Sequence, residues 1–196
     1  MHPHQLNSAT PDAAVAALLT CCGSHRWARR IAAHRPYPDL EALLAASDEA
    51  AYDLAPDDLA EALACEPLDL FVPQQDNRGN RADRGAPHTT YTAAHTALRA
   101  AHAAYESRFG HSFVICLDDV APEEALDHLL SGIRSRLGND PDEETALAAE
   151  ELRRTARGRL TRLVLCQAAK EAAQTAGHAA HGHQSQALPD SPYVPV

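Results

Sequence analysis

The sequence predicts an all-α domain of about six or seven helices, and three observations carry that prediction. Alanine dominates the apolar residues and β-branched residues are few, a composition that favours helix. Leucines recur at three- and four-residue spacing through most segments, as on a helix with one buried face. Proline followed by acid opens segment after segment, as at Pro11-Asp12, Pro38-Asp39, Pro56-Asp57-Asp58, Pro122-Glu123-Glu124 and Pro141-Asp142-Glu143-Glu144. Proline suits the first helical position, where its missing N–H is not needed, and early carboxylates complement the helix dipole.

The elements follow in order. Thr10 caps a first helix that turns Val15, Leu18 and Leu19 inward, and Gly23 breaks it. Ser24 caps a second helix, which Arg35-Pro36 stops near His34, because the residue before proline is driven out of the helical region. Pro38-Asp39 opens a third helix with Leu40, Leu43 and Leu44 inward, and Pro56 a fourth with Leu59 and Leu63 inward. Pro67 ends the fourth. From Phe71 to Pro87 no periodicity is visible, and proline, glycine, asparagine and charge read as a long loop. A fifth helix is expected from Thr92 to Arg108, with Gly110 as its left-handed stop. Phe113-Val114-Ile115-Cys116-Leu117 is the one β-like run, too short to build a sheet alone. A sixth helix starts at Pro122 with Leu126, Leu129, Leu130, Ile133 and Leu137 as its stripe, and Gly138 ends it. Pro141 opens a long last helix, acidic at first and basic at Arg153, Arg154, Arg157, Arg159 and Arg162. Leu147, Leu152, Leu160, Leu163 and Val164 are expected to face inward there. Residues 1–7 are expected to be a flexible N-terminus with few core contacts, 8–176 the helical domain, and 177–196 a flexible tail.

Composition narrows the function. A chain of 196 residues with a net charge of −10 lacks the basic footprint of a general nucleic-acid binder. No apolar run approaches the ~20 residues that span a membrane, and Met1-His2-Pro3-His4-Gln5 lacks the pattern of a signal peptide. Five cysteines cannot all pair internally, and no CxxC framework is present. Reduced thiols in a cytoplasmic protein are the simplest reading. His178, His181 and His183 lie in the tail without an evident scaffold, so no metal site is expected there. His88, His95 and His102 share part of a helical face, with His102 expected to be exposed. Cys65 is expected to be a small buried thiol, with a nucleophilic Cys/His pair as the alternative.

Several pieces, in their order and spacing, resemble one known family. They are Cys21-Cys22-Gly23-Ser24-His25-Arg26-Trp27, Tyr37-Pro38-Asp39-Leu40, and Ala104-Tyr105-Glu106-Ser107-Arg108-Phe109-Gly110-His111-Ser112-Phe113-Val114. Arg136-Leu137-Gly138-Asn139-Asp140 with Glu144, then Glu150-Glu151-Leu152 and Arg159-Leu160, complete the set. Over roughly residues 8–166 the chain resembles the 2-oxo-4-hydroxy-4-carboxy-5-ureidoimidazoline (OHCU) decarboxylases. These cofactor-free enzymes of urate breakdown release CO2 and set the stereochemistry of allantoin. The resemblance implies a small-molecule ureidoimidazoline substrate, no cofactor, and the homodimer common in the family.

It also implies site residues. The family has His-Pro after its fourth helix, with histidine as general acid/base; here the place reads Cys65-Glu66-Pro67. The family's serine and Glu-Gln pair has Asn80-Arg81-Ala82-Asp83-Arg84 as its nearest counterpart. Glu66 and Asp83 are therefore the candidate catalytic residues. Pro67, Arg136, His111, Phe113 and Val114 are the candidate substrate-binding residues. Arg136 offers a fork for carboxylate or ureido oxygens, and the backbone N–H groups of His111 to Val114 offer donors to developing negative charge. On residue type alone Arg136 also fits a helix end whose carbonyls it satisfies, and Glu66 a solvated residue. The rival function is a catalytically impaired member that binds ureides or proteins.

Overall fold

Caps and prolines set most of the helix starts, as the sequence predicts. The structure, a computed structural model, describes residues 3–66 and 87–182. Among them are eight helices and no strand: α1 (His4–Ser8), α2 (Pro11–Leu19), α3 (His25–Ala33), α4 (Leu40–Tyr52), α5 (Pro56–Ala64), α6 (Pro87–Phe109), α7 (Ala125–Arg136) and α8 (Pro141–Gly182). The side chains of Thr10, Ser24 and Asp39 accept from the backbone N–H three residues on, at Ala13, Trp27 and Ala42. Each satisfies a donor that the helix itself leaves orphaned. Gly110 takes φ 76° at the end of α6, a conformation that costs glycine nothing.

Among the described residues, the buried ones form two clusters. In the first, Leu6, Leu18, Trp27, Ile31, Leu43 and Leu63 of α1–α5 surround α8. That helix contributes Ala148, Leu152, Ala156, Leu160 and Val164 at a constant spacing of four. In the second, Leu98 and Tyr105 of α6 pack on Leu129, Leu130 and Ile133 of α7. The segment between α6 and α7 joins them, because Phe113 belongs to the second cluster and its neighbour Val114 to the first.

Several expectations are corrected. Residues 1–7 are not without core contacts, since α1 buries Leu6 and Asn7 exchanges two hydrogen bonds with the backbone of Tyr37, at 2.8 and 2.9 Å. Arg35 adds donors to the carbonyls of Leu6 and Ala9. The β-like run forms no strand, because helix side chains take its backbone groups. Glu151 accepts from the Cys116 N–H at 2.6 Å, and Arg136 donates to the Val114 carbonyl at 2.6 Å. Leu147 is exposed, since the stripe of four-residue spacing runs through Ala148 instead. His102 is buried on α6 with Nδ1 3.5 Å from Glu106, whereas Cys65, just past the end of α5, is exposed. The first residues assigned to the tail, 177–182, continue the last helix, which runs on to Gly182. Helix α6 starts five residues earlier than predicted, at Pro87, and α7 starts at Ala125 rather than Pro122. Pro67, Asp83, the loop from Phe71 and His183 lie outside the described residues.

Candidate functional site

Two charge centres occupy the positions that the sequence singles out. Arg136 stands in the last turn of α7 and Glu144 in the first turn of α8, so the connection between the helices brings cation and anion together. The guanidinium donates to Glu144 Oε1 from Nε at 2.8 Å and approaches it from Nη2 at 2.5 Å. Its Nη1 reaches the Val114 carbonyl, and its Nη2 lies 3.4 Å from the Tyr105 hydroxyl. Tyr105 donates to Glu144 Oε1, and Asn139 to Oε2 at 2.8 Å. Burial works to raise the Glu144 pKa, but the donors from Arg136, Tyr105 and Asn139 outweigh it and hold the carboxyl below its ordinary value. Burial, then the Glu144 carboxylate, push the Tyr105 pKa up.

Aromatic rings close round this centre. The Phe113 ring lies 4.5 Å from the Arg136 guanidinium carbon. Tyr105 meets Phe113 edge-on at 5.0 Å and His111 at 5.5 Å. The structure thus gathers Arg136, His111, Phe113 and Val114, four of the predicted binding residues, around Tyr105. Arg136 is 6% exposed and faces Glu144, a carboxylate supplied by the chain itself.

Glu66 belongs to the other centre. The Glu66 N–H donates to the Leu63 carbonyl just past α5, which leaves the side chain directed at α8. Arg159 meets it with a two-pronged ion pair, Nη1 to Oε1 and Nη2 to Oε2, both at 2.7 Å. Nη1 also donates to the Cys21 carbonyl at 3.2 Å. Burial opposes the Arg159 charge, but the Glu66 hydrogen bonds and charge outweigh it and raise its pKa. Burial pushes the neighbouring Cys22 thiol up to about 11, with the Glu66 charge adding to the shift and a backbone hydrogen bond from Ser24 opposing it.

Backbone contacts fix the pair in place. A Cβ on Gly23 would come within 2.3 Å of the Cys65 Cβ, so only glycine lets the α2–α3 turn lie against the end of α5. A Cβ on Gly158 would meet the Asp118 carboxylate, which accepts from Arg162 at 2.7 Å. Beside Arg159 on α8, a cleft of about 670 Å³ is lined by Asp48, Asp118, Arg153, Arg157 and Gly158, among others. Among the described residues, no group of three His, Cys, Asp or Glu is placed to hold a metal. None of the described helices is long and apolar enough to cross a membrane.

The sequence reading placed Arg159 among the basic residues of the last helix and, with Leu160, in the family-like pattern, but gave it no role in the site. Its neighbour Leu160 gives the missing signal. An arginine next to the buried stripe borders the core, where it reaches a carboxylate just past the end of another helix.

The comparisons with known proteins agree with this architecture. The OHCU decarboxylase family model matches residues 7–161. A crystal structure of OHCU decarboxylase in the presence of (S)-allantoin is similar at 20% identity and a TM-score of 0.58, over 80% of this chain and 99% of that one. A crystal structure of (S)-allantoin synthase is similar at 18% identity and a TM-score of 0.56, over 83% of this chain. The chain spans about half of that protein, 54% of its length. At these identities the likeness is one of fold. No curated protein sequence matches.

Proposed function

Because the chain belongs to the OHCU decarboxylase family, we propose that it acts on ureidoimidazolines of purine breakdown. The reaction is release of CO2 from 2-oxo-4-hydroxy-4-carboxy-5-ureidoimidazoline to give (S)-allantoin, in the cytoplasm, without a cofactor and in a homodimer. One observation carries the reading: Arg159 holds a carboxylate in its fork next to the turn where the family's acid–base residue is expected. A guanidinium with this geometry suits the substrate carboxylate. As the bond to CO2 breaks, its electron pair stays on the ring carbon, which then takes a proton on one face. The N–H groups of His111 to Val114 are the proposed donors to that developing charge.

A second reading rests on the same pair. Glu66 accepts on both oxygens and, so held, has no proton to give where the family has histidine. A member without that donor is a ureide-binding or interaction module.

The test is CO2 release from freshly generated substrate, with the chirality of the allantoin followed by circular dichroism. The native chain should turn over more slowly than a member with the His-Pro pair. Glu66→His should raise the rate at neutral pH, and Arg159→Gln should abolish it. An undiminished rate in Arg159→Gln would place the reaction elsewhere. Saturable binding of (S)-allantoin without CO2 release at any pH would favour the second reading.

A further inference from the structure

We infer that Glu66 is an intramolecular competitor for the carboxylate subsite on Arg159. On the ureide reading of the site, on which this ligand order rests, neutral ureides bind readily and carboxylates only by displacing Glu66.

The end-on fork of Arg159 is occupied by Glu66. Nη1 spends its two hydrogens on Glu66 Oε1 and the Cys21 carbonyl, and Nη2 gives one to Glu66 Oε2. A carboxylate that takes this two-pronged position must replace Glu66, since both of its prongs are already engaged. The competitor is also tethered. Its N–H is bonded to Leu63, and Cys65 lies hard against Gly23, so the chain leading into Glu66 is fixed. A tethered group acts at an effective concentration in the millimolar range or above, which a dilute free carboxylate cannot match. The pair remains reachable, because the Arg159 side chain is 20% exposed and that of Glu66 9%. Removing Glu66 leaves a half-buried guanidinium without its partner, the condition under which an external anion of the same shape binds.

Glu66→Ala and the native chain are titrated with sodium formate and sodium acetate against matched sodium chloride, with the unfolding midpoint as readout. Glu66→Ala should show a saturable rise in midpoint with formate and acetate but not with chloride, at concentrations about tenfold or more below any response of the native chain. Adding Arg159→Gln to Glu66→Ala should remove the response. Equal responses in the native chain and the variant would overturn the inference, as would a response that survives loss of Arg159. If Glu66→Ala does not fold, Glu66→Gln preserves the side-chain volume and is read in the same way. The ureide reading fails separately, if the native chain neither binds (S)-allantoin nor releases CO2 while Glu66→Ala still responds to formate.

Discussion

Arg136 and Glu144 are eight positions apart and put opposite charges where water barely reaches. Breaking a buried pair by removing one charge costs about 3–5 kcal/mol, because the other is left uncompensated. Glu144→Gln should therefore lower the free energy of unfolding by about that amount, measured in urea; a change below ~1 kcal/mol would mean that the pair carries little. The same group sets an acid dependence. Its pKa is depressed in the folded chain, so its contribution is complete above the ordinary carboxylate value of about 4.3 and is lost as pH falls through the lower folded value. The native unfolding midpoint should fall over that acidic window, and Glu144→Gln should flatten the fall. The motif from Arg136 to Glu144 was legible in one dimension, and so was the potential of Arg136 to bind a carboxylate. Which carboxylate fills its fork was not, because spacing along the chain does not report how α7 meets α8. Arg159 was harder still: its partner Glu66 lies 93 positions away, on the far side of two helices.

Among the elements, α1 and the segment before α7 departed most from the sequence reading. Helix α1 has five residues, less than two turns, so no period can show in it. Its one large apolar side chain, Leu6, stands among histidine, glutamine and asparagine and reads as a tail. Burial of Leu6 and the polar ties from Asn7 and Arg35 make it an element. Leu6→Ala should cost about 2–5 kcal/mol, as fully buried leucines do, and an unchanged denaturation midpoint would return α1 to the status of a tail. The β-like run forms no strand for a related reason. Its composition suits a pleated backbone, but a strand needs a neighbour, and here Arg136 and Glu151 supply the hydrogen bonds. The capped helices were legible throughout, because each start depends on residues within one turn of it.

At the scale of the molecule, burial sorts the thiols into reactive and inert. Cys65 and Cys166 are exposed, Cys116 is intermediate, and Cys21 and Cys22 are buried. Burial also raises the pKa of both buried thiols, which lowers the thiolate fraction that reacts. A disulfide reagent at mildly alkaline pH should modify Cys65 and Cys166 first, Cys116 more slowly, and Cys21 and Cys22 only in denaturant. Rapid labelling of Cys22 would mean that the α2–α3 turn opens in the native state.

Trp27 is the chain's only tryptophan. Its indole is wholly enclosed in the first cluster, with Nε1 donating to the Ser47 carbonyl at 3.1 Å. Intrinsic fluorescence excited at the red edge therefore reports on one core alone. The second core, where Tyr105 and Phe113 enclose Arg136, is silent to that excitation. Tyrosine absorbance draws on both cores, with Tyr37 in the first and Tyr105 in the second, so whether its unfolding curve coincides with that of Trp27 or adds a second step measures whether the two cores melt as one cooperative unit.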